Sequence, residues 1–253
     1  MGLSLRILQI DVPSRDLDRA VAFWAAALAA DPVDAPGDFV HLVGASSAVE
    51  VHLQAIGSAV PRYHLDLEAS DRDAEAVRLI DGGAWELDRF DEGYTVLADP
   101  AGLPLCVIDA GSAAPTPVKP RRADGVYLSG IFVDVPEPLV DAEVAFWSYA
   151  LDAEVVPTER PATYTALAGV QGPGGAVLFE IQKVGPTTVP RHHVDLEAND
   201  VAAEAARLEG LGARRTSEGD GWVVLADPVG NPFCVVPART PEGDDATARP
   251  QTP

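Results

Sequence analysis

The chain has 253 residues, 47% of them hydrophobic, which is enough to bury a core in one large domain or in two of ordinary size. Its 39 acidic and 18 basic side chains give a formal net charge of −21 at pH 7. Because this charge repels phosphate backbones and anionic lipid headgroups, we expect neither nucleic acid nor a membrane as a partner.

No charged segment followed by an apolar one opens the sequence, and the longest apolar stretch, residues 20–30, is too short to span a bilayer. We therefore expect a cytoplasmic protein. The two cysteines, Cys106 and Cys234, occupy equivalent positions in two sequence repeats. This placement favours a role for each cysteine at its own position over a disulfide between them.

The first half of the chain contains the same order of predicted elements twice. Residues 5–12 alternate as a strand, Ser14 can cap a following helix, and extended segments lie around 39–43 and 49–56. The order restarts with a strand at 62–68, Ser70 as a second cap, a helix ended by Gly82 and Gly83, and strands near 94–98 and 105–108. These patterns predict two β-α-β-β-β modules.

The second half repeats the first. The segment PRYHLDLEA at 61–69 returns at 190–198 as PRHHVDLEA, and VLADPAG at 96–102 returns at 224–230 as VLADPVG. Helices are predicted near 140–151 and 201–211, with strands around 128–135, 164–168, 176–184, 191–197, 221–226 and 232–236. The chain is therefore predicted to hold four modules in two tandem copies.

Composition sets the boundaries of the copies. We place the first domain at residues 1–111, a proline-rich linker at 112–124 and the second domain at 125–239. Residues 240–253 are rich in Pro, Gly, Asp and Thr and cannot bury enough apolar area to offset ordering entropy, so we predict a flexible tail.

A family resemblance follows from the four modules, the His-x-Asp strand that opens every second module, and the Asp-Pro-x-Gly turns before two of the last strands. Together these features resemble the vicinal oxygen chelate superfamily, and within it the glyoxalase-like and bleomycin-resistance-like domains. The resemblance spans residues 5–237. It implies an α+β, tandem duplicated glyoxalase/bleomycin-resistance/dioxygenase fold whose curled mixed sheets form clefts, but it does not identify the activity.

The resemblance also implies where a metal would bind, namely on the first and last strands of the modules. The first-strand positions are Gln9, His64, Phe132 and His193. Metal-dependent members carry Glu on the last strands, where this chain has Gln54, Cys106, Gln182 and Cys234. Because no carboxylate stands at these positions and a Gln amide is a weak ligand, we predict no cofactor, with a divalent metal in the first copy as the weaker alternative.

Strand alternation offers one further set of ligands. Glu50, His52 and Gln54 share one face of their strand, and Glu180 and Gln182 are the counterparts in the second copy. A register slip by two residues would bring His52 or Glu50 into the cleft. The alternative is a charged residue that faces water at the mouth of a strand.

Polar side chains alternate with apolar ones in the His-x-Asp strands, so His64 and Asp66 share the face opposite Leu65 and Leu67. A histidine near a carboxylate can act as an acid or base near neutral pH. The alternative is that the aspartates bind the backbone or the adjacent arginines, and that the cysteines are small buried hydrophobic residues. The catalytic candidates are His64, Asp66, His193 and Asp195, and the ligand-contacting candidates are Gln9, Asp11, His52, Gln54, Cys106, Phe132, Glu180, Gln182 and Cys234.

Three functional hypotheses remain open from the sequence. The absent glutamates favour a module that binds a small apolar or planar molecule in a metal-free cleft. A metal-independent lyase, isomerase or cyclase that uses a His-Asp pair is the second hypothesis, and a metal-dependent dioxygenase or glyoxalase-type lyase is the third. Each copy already holds two modules, so a monomer could be complete, and a homodimer stays possible.

Overall fold

The first copy folds into one large sheet and two helices. The computed structural model describes residues 3–111, 114–122, 124–157 and 163–239. The helices are α1 (Leu17–Ala27) and α2 (Arg72–Asp81). The strands are β1 (Ser4–Pro13), β2 (Asp31–Ala35), β3 (Phe39–Val43), β4 (Ala45–Ser46), β5 (Glu50–Ile56), β6 (Arg62–Ala69), β7 (Trp85–Phe90), β8 (Tyr94–Ala98) and β9 (Pro104–Asp109).

The second copy has the same architecture. Its helices are α3 (Glu137–Leu151) and α4 (Val201–Gly210). Its strands, preceded by β10 (Val118–Lys119), are β11 (Val126–Pro136), β12 (Glu154–Val156), β13 (Tyr164–Ala168), β14 (Gln171–Gly172), β15 (Gly175–Ala176), β16 (Leu178–Val184), β17 (Arg191–Ala198), β18 (Arg214–Gly219), β19 (Trp222–Ala226) and β20 (Pro232–Pro237).

Both sheets have eight strands in the same order, β2-β3-β5-β1-β6-β9-β8-β7 in the first copy and β12-β13-β16-β11-β17-β20-β19-β18 in the second. The first strands of the two modules, β1 and β6, are antiparallel neighbours at the centre of the sheet. Each of them pairs in parallel with the last strand of its own module, β5 or β9. The predicted tandem α+β fold with mixed sheets is confirmed.

The core lies between the helices and the apolar faces of both sheets, and it runs continuously from one copy to the other. Leu65 and Leu67 are fully buried in it, as the alternation predicted. The Trp24 ring on α1 packs against Phe233 of the second copy, with 5.4 Å between centroids. The two copies therefore bury apolar surface against each other.

Reciprocal arginines tie the copies together. Arg78 on α2 donates to the backbone carbonyls of Tyr149 and Ala150 at the end of α3, over 2.9 and 3.1 Å. Arg207 on α4 likewise donates to two carbonyls in the last turn of α1. Each guanidinium satisfies carbonyls that have no partner within their own helix.

The buried tryptophans differ in their acceptors. Trp24 Nε1 donates to Asp227 Oδ2 over 2.9 Å, whereas Trp147 Nε1 donates over 3.0 Å to Glu143 Oε2, and the Glu143 carboxyl lies against Asp99. Burial first, and then the charge of Asp99, raises the pKa of Glu143 to about 9. Burial also raises the pKa of Asp99 to about 6. This junction therefore contains a carboxyl pair that holds a proton at neutral pH.

The helix ends correct two predictions. The Ser14 hydroxyl donates to the carbonyl of Ile56 and caps no helix, because a short 3₁₀ turn precedes α1. The cap of α2 is Asp71, not Ser70, and its side chain accepts from the Ala74 N–H over 3.0 Å. The predicted glycine stop is confirmed, since α2 ends at Asp81 and Gly83 adopts a φ of 114°.

The predicted linker contains the short strand β10, which pairs in parallel with β4 of the first copy. The predicted flexible tail at residues 240–253 lies outside the described residues. Within the described part of the chain, every helix is too short or too polar to cross a membrane.

Candidate functional site

The strand register gathers polar residues on the face of the first sheet that lies opposite the helices. Gln9 on β1 is directly across from His64 on β6, and Asp66 pairs with Cys106 on β9. Asp11 pairs with Gln54 on β5. Directly paired residues point to the same face of a sheet, so these side chains from four strands share one surface, the first cleft.

His64 lies between two carboxylates in this cleft. Its Nδ1 is 3.0 Å from Asp11 Oδ1, and its Nε2 is 3.2 Å from Asp66 Oδ1. His64, Asp66 and Cys106 each offer one potential ligand atom, all within 4.8 Å of one another. We call these three side chains the His64 cluster.

Several buried polar atoms in the first cleft lack a hydrogen-bond partner. Gln9 Nε2 donates to Asp66 Oδ2 over 3.0 Å, but Gln9 Oε1 accepts nothing among the described residues. The contacts of His64 with Asp11 Oδ1 and Asp66 Oδ1 are short enough for charge pairing but are not aligned as hydrogen bonds. Unpaired buried acceptors are costly, and a bound cation would satisfy them.

Charge pairing controls the protonation of the cleft. Burial lowers the pKa of His64, but Asp11, Cys106 and Asp66 outweigh burial and hold that pKa well above its usual value. Burial raises the pKa of Asp11, yet His64 and Arg62 bring the net shift below the usual value. Burial raises the pKa of Cys106, with Asp66 as the next cause. In the absence of a competing cation, His64 therefore carries a proton between the two aspartates.

The first cleft contains a cavity of about 260 Å³. Its floor is formed by the His64 cluster with Gln9, Asp11 and Gln54, and Arg62 also lines it. Phe39, Phe90 and Tyr94 supply aromatic walls, and the last two rings stack with 4.5 Å between centroids. A polar floor below aromatic walls is typical of a site for a small planar molecule.

The two alternatives for the aspartates occur together. Arg62 Nε donates to Asp11 Oδ2 over 2.9 Å, and Arg191 Nε donates to Asp134 Oδ2 over 2.9 Å in the second copy. The other oxygen of each carboxylate faces the histidine. Each of these aspartates therefore joins an arginine to a histidine.

His52 and Glu50 lie on the cleft face of β5 but outside the cavity lining. The His52 ring stacks on His41 with 3.8 Å between centroids, and its Nε2 lies 2.9 Å from Thr116 Oγ1. Glu50 accepts from Arg6 and from the Thr116 N–H. The linker residue Thr116 thus bonds to two residues on the cleft face of β5.

The second copy holds the corresponding group His193, Asp195 and Cys234. His193 Nδ1 lies 2.8 Å from Asp134 Oδ1, but its Nε2 is 3.8 Å from Asp195 Oδ1. Phe132, the counterpart of Gln9, stacks on the His193 ring with 4.5 Å between centroids. The face of this imidazole is therefore covered.

The remaining candidates in the second copy lie close to this group. Gln182 Nε2 donates to the Tyr164 hydroxyl over 2.9 Å, and the Tyr164 ring packs edge-on against Phe132. Glu180 pairs with Phe132 across the sheet and is 1% exposed.

Sequence reasoning missed the aromatic walls and the Thr116 contact. Phe39 is paired with Gln54, and Tyr94 is paired with Ile108, so the register of neighbouring strands could have identified both. Thr116 lies in the predicted linker, where no periodic pattern reveals its contacts with Glu50 and His52.

The sequence profile of the glyoxalase-like domain matches residues 8–108 and 130–236. The chain therefore belongs to the glyoxalase-like domain family, with one domain in each copy. No curated protein matches this chain.

Solved structures show the same fold. The chain is similar to the Mn(II)-bound glyoxalase from Novosphingobium aromaticivorans, with a TM-score of 0.64 and 18% identity over 92% of this chain and 81% of that one. A catechol 2,3-dioxygenase gives 0.60 and 17% identity over 98% and 92%. Homoprotocatechuate 2,3-dioxygenase from Arthrobacter globiformis gives 0.62 and 14% identity over 99% and 84%.

The prediction that the protein has no cofactor is contradicted. It depended on missing glutamates at the four last-strand positions, but Asp66 and Asp195 on the first strands provide the carboxylates instead. Both copies therefore contain a group of three side chains able to hold a metal ion. The similar structures include a glyoxalase with bound Mn(II).

Proposed function

We propose that the first cleft binds a divalent metal ion through the His64 cluster and uses it to bind and activate a small oxygen-bearing organic molecule. The observation that supports this proposal is the His64 cluster itself, which lies at the floor of the cavity together with Gln9, whose buried Oε1 has no hydrogen-bond partner among the described residues.

The donor set fits a metal in chemistry and spacing. Imidazole, carboxylate and thiolate are all metal ligands, and metal–ligand bonds of about 2.0–2.3 Å place neighbouring ligand atoms about 3–4 Å apart. The 3.2 Å between His64 Nε2 and Asp66 Oδ1 falls in this range. Asp11 faces the other ring nitrogen, in the position of the carboxylate that commonly orients a metal-binding histidine.

When bound, a divalent metal would act as a Lewis acid toward a carbonyl or hydroxyl oxygen. The chain's own residues then have separate roles. Asp11 and Arg62 hold the His64 ring, Gln9 Nε2 orients the Asp66 carboxylate, and the walls formed by Phe90 and Tyr94 cover a planar ligand and exclude water.

The raised pKa of His64 means that this side chain carries a proton in the metal-free protein. A metal ion must displace that proton to bind the ring nitrogen. Because burial also raises the pKa of the Cys106 thiol, we expect binding to release protons from both His64 and Cys106.

The test is a calorimetric titration of the metal-stripped chain with Zn²⁺, together with elemental analysis of the loaded protein. We expect one tightly bound equivalent that is lost in His64→Ala and Asp66→Asn. The matched control is Asp195→Asn, which changes the equivalent carboxylate of the second copy and should keep that equivalent. A wild-type chain that binds no metal would refute the proposal, and loss in Asp195→Asn alone would place the site in the other copy.

A further inference from the structure

Strand β9 brings a cysteine, Cys106, to the cavity of the first cleft, and the inference drawn from this cysteine rests on the proposed metal site. Cys106 stands on β9, the last strand of the second module, and offers its sulfur beside His64 and Asp66. A thiolate in place of a carboxylate changes the chemistry of the site.

Strand alternation places the Cys106 thiol on the cleft side. Its neighbours Leu105 and Val107 are fully buried in the core on the helix side, whereas Cys106 lines the cavity. A cysteine that served merely as a small core residue would be expected at 105 or 107. The thiol instead faces the carboxylate of Asp66, its partner across the strands.

The surroundings of this thiol point independently to a cation. Gln9 and Asp66 are 4% and 5% exposed, and each places an oxygen without a hydrogen-bond partner in the same cavity. His64 completes a set of nitrogen, oxygen and sulfur donors. Sets made of oxygen ligands suit Mg²⁺, Ca²⁺ and Mn²⁺, whereas a thiolate favours thiophilic ions such as Zn²⁺ or Co²⁺.

We infer that Cys106 is a metal ligand and that it gives the first cleft a preference for thiophilic divalent ions, in contrast to the Mn(II) bound by the similar glyoxalase. Any site of nitrogen and oxygen donors already binds Zn²⁺ more tightly than Mn²⁺. A preference for Zn²⁺ over Mn²⁺ therefore does not by itself indicate a thiolate ligand. The evidence for the thiolate is how much tighter Zn²⁺ binds than Mn²⁺.

The first experiment is a Co²⁺ titration of the reduced, metal-stripped chain followed by absorption. We expect a near-ultraviolet thiolate-to-cobalt charge-transfer band at one equivalent. The band should vanish in Cys106→Ser and persist in Cys234→Ser, the matched variant in the second copy. Co²⁺ binding without this band, or a band that survives in Cys106→Ser, would overturn the assignment of Cys106 while leaving a metal site in place.

The second experiment compares Zn²⁺ and Mn²⁺ affinities in the wild-type chain and in Cys106→Asp, which replaces the sulfur ligand with an oxygen ligand. We expect the ratio of Zn²⁺ to Mn²⁺ affinity to fall by about tenfold or more in this variant, because a carboxylate suits Mn²⁺ better than a thiolate does. An unchanged ratio would overturn the inference. Failure of the wild-type chain to bind any of the three ions would instead refute the metal-dependent function.

Discussion

The two clefts share a histidine held by an aspartate, yet they differ in the residue that faces this histidine across the sheet. In the first cleft this residue is Gln9, which leaves an oxygen free beside His64. In the second it is Phe132, whose ring covers His193. The same strands and the same His-Asp pair therefore carry an amide beside the histidine in one cleft and a stacked aromatic ring in the other.

The two copies differ in how their arginines pair with the glutamates of the central strands. Arg6 on β1 lies between Glu50 and Glu68 in the first copy. In the second copy Ser129 occupies the position on β11 that is equivalent to Arg6, and it donates to Glu197. Glu197 also forms salt bridges with Arg121 from the linker and with Arg239, which follows β20. One buried arginine serves two carboxylates in the first case, while two arginines serve one carboxylate in the second.

Replacing Arg6 by methionine should have the largest effect on stability. The side chains of Arg6 and Glu50 are 6% and 1% exposed, so the variant leaves a buried carboxylate without its guanidinium partner. We expect the free energy of unfolding to fall by about 3 kcal/mol, measured by urea denaturation.

The matched control is Arg121→Met, which removes a partner of Glu197 in the second copy. Arg239 and Ser129 remain on that carboxylate, and the Arg121 side chain is 32% exposed. The loss should therefore be about 1 kcal/mol or less. If Arg6→Met and Arg121→Met lowered the free energy of unfolding equally, Glu50 would depend on a single arginine no more than Glu197 does.

Exchanging Gln9 and Phe132 between the copies tests the difference between the clefts directly. Gln9→Phe should cover His64 as Phe132 covers His193, and we expect the affinity for Zn²⁺ to fall by about 10–100-fold. The reciprocal Phe132→Gln uncovers His193 and should leave binding in the first cleft unchanged. Unaltered affinity in Gln9→Phe would mean that this residue does not control access to the site.

Much of the fold follows from local sequence patterns. Leu65 and Leu67 alternate with His64 and Asp66, which is enough to assign both faces of β6. The helix caps were harder to assign, because Ser70 and Asp71 are adjacent and both residue types can cap. A choice between such neighbours depends on where the preceding strand ends.

The site could be predicted residue by residue but not as an arrangement. The family resemblance places Gln9, His64 and Cys106 at candidate positions, and strand pairing brings them onto one face. The bond from Gln9 to Asp66 and the stacking of Phe132 on His193 depend on side-chain conformations across strands. The resemblance implies a glutamate on a last strand as the charged ligand, so it does not identify Asp66 on β6 as the carboxylate of the site.

The junctions between the copies allow a test by pH. Trp24 donates to Asp227, whose carboxylate also receives three backbone N–H groups, whereas Trp147 donates to Glu143, which needs a proton to lie against Asp99. Glutamine at position 143 keeps the acceptor for Trp147 and removes the need for a proton. We expect Glu143→Gln to raise the free energy of unfolding by about 1–2 kcal/mol at pH 8.

The direction of the pH effect follows from the raised pKa. An unfolded glutamate ionises near 4.5, so between that pH and about 9 the folded chain binds more protons and the free energy of unfolding falls as the pH rises. Carboxylates with lowered pKa, such as Asp11 and Glu197, give the opposite slope at acid pH. Thermal unfolding from about pH 6 to 9 should therefore show a decline in the wild type that is shallower in Glu143→Gln. Parallel curves for the two proteins would argue against the shared proton.

The smallest expected effect concerns the contact of the linker residue Thr116 with His52. Thr116→Val keeps the shape of the side chain and the backbone bond to Glu50 but removes the hydroxyl 2.9 Å from His52 Nε2. Because His52 is buried, we expect a loss of about 1 kcal/mol in urea denaturation. Thr95→Val is the matched control, since the buried Thr95 hydroxyl has no partner among the described residues and its removal should be neutral or stabilising. If both variants lost the same stability, the Thr116 contact would contribute no more than the packing of any buried threonine.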